Sequence, residues 1–258
     1  MIAPAALPLL DARYALFLDF DGTLVDIAPR PDAVRVPPGL AGALGALQAA
    51  LGGALAIATG RPLADIDRFL APLVLPAAGE HGALLRFADG RTENLAQPPD
   101  LGPALAAAQA LVQAHPALLL ERKQAGVALH YRHAPELEAL CRAALLQAVQ
   151  AMPGMALLEG KCVLEVKLRG IDKGRALQAL MSTPPFAGRV PVFAGDDVTD
   201  ESAIVAAQAL GGAGIKVGAG ASAAGWRCND PQAVRAWLLG TARAWAPAAS
   251  IPTGAPHA

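Results

Sequence analysis

Six carboxylates in two short stretches are the residues best suited to chemistry. Asp19 and Asp21 flank Phe20 in YALFLDFDGT, and Asp196, Asp197, Asp200 and Glu201 crowd into GDDVTDE. In an extended chain a period of two puts Asp19 and Asp21 on one side while Phe20 faces away. Two carboxylates that close repel each other. The repulsion is tolerable if a divalent cation lies between them, or if one stays protonated and serves as an acid. A calcium loop is a poor description of D-x-D-G here, because such a loop wants its glycine at the sixth position and oxygen ligands at alternate positions. Gly22 arrives at the fourth, and apolar Leu24 and Val25 follow. Asp200 and Glu201 alone would suit the first turn of a helix. Asp196 and Asp197 precede that turn, and four carboxylates so placed point to cation or phosphate chemistry.

Three further groups could join them. Thr59-Gly60-Arg61-Pro62 offers a hydroxyl, a glycine that lets backbone N–H groups approach an anion, an arginine, and a proline suited to a first helical turn. Taken alone it reads as a plain strand-to-helix turn. Lys173, in IDKG, stands at a loop-to-helix junction, a surface position unless its company makes it otherwise. The third group is spread over four strand-like segments, where Glu121, Lys123, His130, Arg132, Glu159, Glu165 and Lys167 recur at alternating positions. Each could be a residue of a solvated sheet face; together they suit a polar lid over a hydroxyl-rich ligand.

The elements that must carry these groups follow from hydrophobic pattern and punctuation. Residues 14–18 form a short, continuous apolar run ended by Asp19 and Gly22, as expected of a strand buried on both faces of a parallel sheet. Similar strands are expected at 54–58, 74–78, 189–194 and 215–217, a hairpin about Asp89-Gly90, and helices at 40–51, 62–70, 231–245 and from Lys173 onward. Sites in such α/β sheets form beyond the carboxyl ends of the strands, where Asp19, Thr59 and Asp196 fall. Between Pro98 and Gly170 the pattern changes to helix, strand, strand, repeated twice. This is an inserted α+β unit with both helices on one face of its sheet. The expected boundaries are 1–97 with 171–258 for the discontinuous α/β core and 98–170 for the insert.

At 258 residues and 54% hydrophobic content the chain can bury a sizeable core, filled by Ala, Leu and Val because aromatics are only 4%. A net charge of −1 without a basic cluster argues against nucleic acid. Three widely spaced cysteines without a C-x-x-C pair suit a reduced, cytoplasmic protein. The first residues lack a basic leader, and a disordered tail is expected from about residue 247. Residues 39–60 are apolar enough to suggest a membrane span, but Leu40, Leu44, Leu47 and Leu51 share one helical face and Gly52-Gly53 interrupts the run.

DFDGT, ATG, the lysine of IDKG, and GDDVTD occur in the order of the four signatures of the haloacid dehalogenase superfamily, which the whole chain resembles. LERKQAGVALHYR, GKCVLEVK, IDKGRAL and GDDVTDE are similar to its trehalose-phosphatase family. That resemblance implies a Rossmann-like parallel-sheet core under an αββαββ cap, and a cytoplasmic, monomeric hydrolase acting on trehalose 6-phosphate in trehalose biosynthesis. It makes Asp19 the nucleophile that forms an aspartyl-phosphate and Asp21 the acid and base. It assigns Mg2+ to Asp19, the main-chain carbonyl of Asp21 and Asp196, with Asp197 and Asp200 behind them. Thr59 and Lys173 would hold the phosphoryl oxygens, assisted by Arg61, and Glu121, Lys123 and Glu165 would bind glucose hydroxyls. Gln124-Ala125 and the proline-rich tail depart from the family pattern. A phosphatase for sucrose phosphate or mannosyl-phosphoglycerate, or a non-catalytic sugar-phosphate sensor, would share the same core signatures.

Overall fold

Strand β1 (Tyr14–Leu18) has no polar side chain after Tyr14, and Ala15 to Leu18 are fully buried. In the computed structural model, which describes residues 7, 10–97 and 99–245, β1 lies inside an eight-stranded sheet. The expectations about the leader and about a disordered tail lie outside the described residues. From β1 the chain runs through α1 (Leu40–Ala50), β2 (Leu55–Ala58), α2 (Leu63–Leu70), β3 (Ala77–Gly79), β4 (Leu84–Arg86) and β5 (Thr92–Asn94). It then forms α3 (Gly102–Ala114), β6 (Leu119–Arg122), β7 (Gly126–His130), α4 (Glu138–Gln150), β8 (Met155–Gly160) and β9 (Val163–Leu168). It closes with α5 (Lys173–Met181), β10 (Val190–Gly195), α6 (Glu201–Ala209), β11 (Ala213–Val217), β12 (Trp226–Cys228) and α7 (Pro231–Trp245).

The large sheet has the order β12-β11-β10-β1-β2-β3-β4-β5. It is parallel from β12 to β3 and ends in the antiparallel β4–β5 hairpin. β1 pairs with β2 on one side and β10 on the other, so three strand ends converge beside Asp19. Leu40, Leu44 and Leu47 turn into the core from α1, and Leu177 and Leu180 do so from α5. Each buried leucine contributes about 1.5–3 kcal/mol relative to exposure. Phe17 packs on Phe186 with ring centroids 5.2 Å apart, and Phe20 stacks on Phe69 at 5.6 Å. One strand expectation is corrected and one strand is added. β3 begins at Ala77, because Pro76 has no N–H for the ladder and Val74 is 59% exposed. β12 was not anticipated, being a three-residue edge strand after a Gly/Ala-rich loop. No helix among the described residues is long and apolar enough to cross a membrane.

Residues 102–168 repeat helix, strand, strand twice and form an antiparallel sheet of order β6-β7-β9-β8. Val127, Leu129, Leu164 and Val166 pack with Ala104, Ala108, Cys141 and Leu145 into a second apolar core, which leaves both helices on one face. On the opposite face Glu121, Ala128 and Glu165 stand in one cross-strand row.

Candidate active site

The residues on the floor of the cleft are delivered by the ends of elements in and around the large sheet. Asp19 follows β1, its N–H donating to the Ala194 carbonyl at 2.9 Å, and its carboxylate is 4% exposed. Lys173, the first residue of α5, is oriented by the Asp172 cap, whose side chain accepts from Arg175 N–H. Its ammonium donates to Asp19 Oδ1 at 2.7 Å and Asp200 Oδ1 at 2.6 Å. The other Asp200 oxygen accepts from Asp197 N–H at 2.9 Å, so this fully buried carboxylate is committed on both sides. Asp197 itself caps the turn Val198–Asp200, accepting from Val198 N–H at 2.8 Å.

Asp19, Asp196 and Asp200 offer carboxylate oxygens within 4.8 Å of one another. The chain makes room for this crowding at Gly22, where a Cβ would lie 2.3 Å from Asp196 Oδ2. Lys216 donates to the main-chain carbonyl of Asp196, and Lys161 reaches its side chain at 2.9 Å from the turn between β8 and β9. Burial, followed by the charge of Asp200, holds the Asp19 carboxyl well above the ordinary aspartate range, although Lys173 opposes the shift. Burial also raises Asp196, against Lys161. Lys173 moves the other way: desolvation would lower it, but Asp19 and Asp200 outweigh that and keep the ammonium charged. Asp200 is already engaged on both oxygens, which leaves Asp19 and Asp196 as carboxylate donors of the kind that hard divalent cations take.

Arg61 forks onto Asp21, Nε to Oδ2 at 2.5 Å and Nη2 to Oδ1 at 2.8 Å, while its Nη1 donates to the Pro31 carbonyl at 2.9 Å. Thr59 Oγ1 accepts from Arg61 N–H at 3.1 Å, so hydroxyl, guanidinium and the second aspartate share one bonded unit. Above them lies the polar face of the four-stranded sheet. Lys123 donates to Glu165 Oε2 at 2.7 Å, His81 Nε2 lies 3.1 Å from the same oxygen, and His130 Nε2 lies 2.9 Å from Glu121 Oε2. Burial would raise Glu165, but Lys123 and His81 prevail and its carboxyl falls far below the usual range. His81 is lowered by burial against the pull of Glu165.

One cleft is lined by Asp19, Asp21, Thr59, Arg61, Lys173 and Asp196 below, and by Glu121, Lys123, His130, Arg132 and Glu165 above. Two charges expected on the ligand face do not reach it. Glu159 is paired across strands with Leu164, on the helix side, and binds Arg142 of α4. Lys167 donates to the Ile171 carbonyl instead. Other groups were overlooked: Glu80, His81, Lys161 and Lys216. The first two carried a faint signal, a polar pair at a strand end between Gly79 and Gly82; Lys161 and Lys216 sit among ordinary turn and strand residues and gave none.

A model of the trehalose-phosphatase family matches residues 17–232. The chain is 41% identical over 232 residues to the trehalose-6-phosphate phosphatase of Escherichia coli strain K12, covering 90% of this chain and 87% of that protein. Among solved structures, a trehalose-6-phosphate phosphatase related protein superposes with a TM-score of 0.77 at 26% identity, over 89% of this chain and 97% of that one. The fold also matches a phosphatase of the haloalkanoate superfamily from Bacteroides thetaiotaomicron, with a TM-score of 0.60 at 14% identity over 93% of this chain and all of the other.

Proposed function

The chain belongs to the trehalose-phosphatase family of phosphoric monoester hydrolases, and we propose that it hydrolyses trehalose 6-phosphate to trehalose and phosphate through an aspartyl-phosphate on Asp19. The observation that carries this reading is the position of buried Asp19, bonded to Lys173 and packed against Asp196 and Asp200 directly beneath the polar row of Glu121 and Glu165. In the first step an Asp19 oxygen bonds to phosphorus while the bond to the sugar oxygen breaks in line. Asp21, held by the Arg61 fork before substrate binds, would leave that fork and take up a proton, which it gives to the departing sugar oxygen. In the second step water attacks the same phosphorus, Asp21 takes its proton, and Asp19 leaves as a carboxylate with inorganic phosphate released. Lys173 and Thr59 hold the phosphoryl oxygens as charge redistributes.

Asp19, Asp196 and the main-chain carbonyl of Asp21 suit Mg2+, which when bound would neutralise the phosphate and relieve the repulsion that bars an anionic nucleophile. Asp200, already accepting on both oxygens, holds Lys173 in place, and Asp197 serves the turn that presents Asp200. Glu121, Lys123 and Glu165 supply the paired donors and acceptors that a sugar with many hydroxyls requires. We take the protein to act as a monomer in the cytoplasm, a compartment that the free thiols of Cys141, Cys162 and Cys228 suit.

The test is phosphate release from a panel of sugar phosphates, with Mg2+ and with a chelator. A strong preference for trehalose 6-phosphate, lost on chelation, is expected. A preference for another sugar phosphate would overturn the assignment of the cap sheet, and binding without release would overturn the role of Asp19.

A further inference from the structure

We propose that Glu80 is a positioning residue for this reaction: from a left-handed turn beside Thr59 and Arg61, its carboxylate grips the tip of the β6–β7 hairpin and sets where Glu121 and Lys123 meet the sugar. The inference rests on the reading above that the four-stranded sheet holds the sugar.

Glu80 is 5% exposed, and its two oxygens accept successive backbone N–H groups across the cleft, from Gln124 at 3.0 Å and Ala125 at 2.7 Å. Among the described residues no ammonium or guanidinium lies within 4.0 Å of its carboxylate, although the Lys123 charge acts on it from farther off; these two amides are its direct hydrogen-bond partners, and hydrogen bonds to a charged acceptor are the stronger kind. Lys123 immediately precedes the gripped pair. The next side chain of the same turn, His81, reaches Glu165 on β9. One turn of the large sheet therefore engages two of the strands that line the sugar face.

The turn is built to stay where it is. Glu80 and His81 have φ of 49° and 57°, consecutive left-handed conformations that residues with a Cβ rarely adopt. Such backbone persists only where its surroundings over-determine it, and it clusters at working sites. Here Glu80 N–H donates to the Arg61 carbonyl at 3.0 Å and His81 N–H to the Thr59 carbonyl at 2.9 Å. A Cβ on Gly60 would lie 2.6 Å from the His81 ring. The hairpin tip is thus tied through Glu80 to the loop that carries the phosphate-holding hydroxyl.

Both Glu80 bonds exist only with the two sheets together, so their loss falls on substrates that need the cap. In Glu80→Gln, kcat/KM for trehalose 6-phosphate is expected to drop about tenfold, mainly through KM, while p-nitrophenyl phosphate turnover stays within about twofold. Hydrogen exchange at the Gln124 and Ala125 amides should quicken by about tenfold, with the large sheet unchanged. An equal fall on both substrates, or no fall on either, would overturn the proposal, as would unaltered exchange at the hairpin tip. Glu80→Asp keeps the charge but is one methylene short, and it carries the same comparison if the glutamine variant melts early. Should the unmutated chain hydrolyse the aryl phosphate but not trehalose 6-phosphate, the sugar assignment fails separately, and the exchange measurement alone decides the role of Glu80.

Discussion

Lys173 joins two carboxylates from different strand ends, and Glu165 joins Lys123 of the four-stranded sheet to His81 of the turn after β3. Each is a single buried group on which several others depend, so its removal has two separable effects. For Asp19→Asn, turnover is expected to fall on the order of 10⁴-fold or more. Because burial opposes the Asp19 charge, the variant should melt at or above the temperature of the unmodified chain; phosphate release and a thermal melt check both halves. Glu165→Ala leaves the Lys123 ammonium buried and unpaired, a cost of about 3–5 kcal/mol. The double change Glu165→Ala with Lys123→Met should recover much of that stability without recovering turnover of the sugar phosphate. Denaturant melts of the three proteins test this, and a double variant as unstable as the single one would refute it.

At the scale of elements, the exit of β1 is the most constrained place in the fold. Gly22, at φ +80°, has no space for a Cβ beside the Asp196 carboxylate. Gly22→Ala should therefore push Asp196 aside, with turnover reduced by at least about 100-fold and a stability cost of only about 1–2 kcal/mol. Equal losses in kinetic and melting experiments on an Asp196→Ala variant would show that both act on the same group. The same constraint explains why this region was legible before the structure: an apolar strand, a D-x-D alternation and a glycine put two carboxylates at the end of a buried strand, and β10 with its acidic end repeats it. The polar face above was only partly legible. Alternation alone placed Glu121, Lys123 and Glu165 correctly but included Glu159, because the offset of β8 against β9 puts Glu159 opposite Leu164, and register between strands is not written in either strand. Glu80 and His81 escaped for a related reason: the left-handed turn that aims them depends on contacts with Arg61 and Asp172, remote in sequence.

At the scale of the molecule, two apolar cores meet across a cleft whose cross-links are polar: Lys161 to Asp196, His81 to Glu165, and Glu80 to the hairpin tip. A bound divalent cation would replace repulsion at the floor of that cleft with attraction. Mg2+ at 100 times its dissociation constant should stabilise the chain by about 2.7 kcal/mol over the chelated state. Melting curves with Mg2+ and with chelator measure the shift, and Asp196→Asn should abolish most of it; an unmoved midpoint in the unmutated chain would remove the metal from this cluster.

Asp19, at the end of β1, and Lys173, at the start of α5, bond to each other although they stand 154 residues apart, and β1 pairs with the late strand β10. During synthesis Asp19 leaves the ribosome well before Lys173, and at 5–20 residues per second the lysine follows roughly eight to thirty seconds later. Throughout that delay β1 lacks one of its two neighbours, whereas α3 to β9 emerge as a contiguous block whose strands pair with one another alone. The four-stranded sheet can thus mature first, over a carboxylate cluster still missing half its walls. Nascent chains ending near residue 170 should protect the amides of that block from exchange while having no phosphatase activity, so the chemistry is acquired only once Lys173 and the acidic end of β10 have been made.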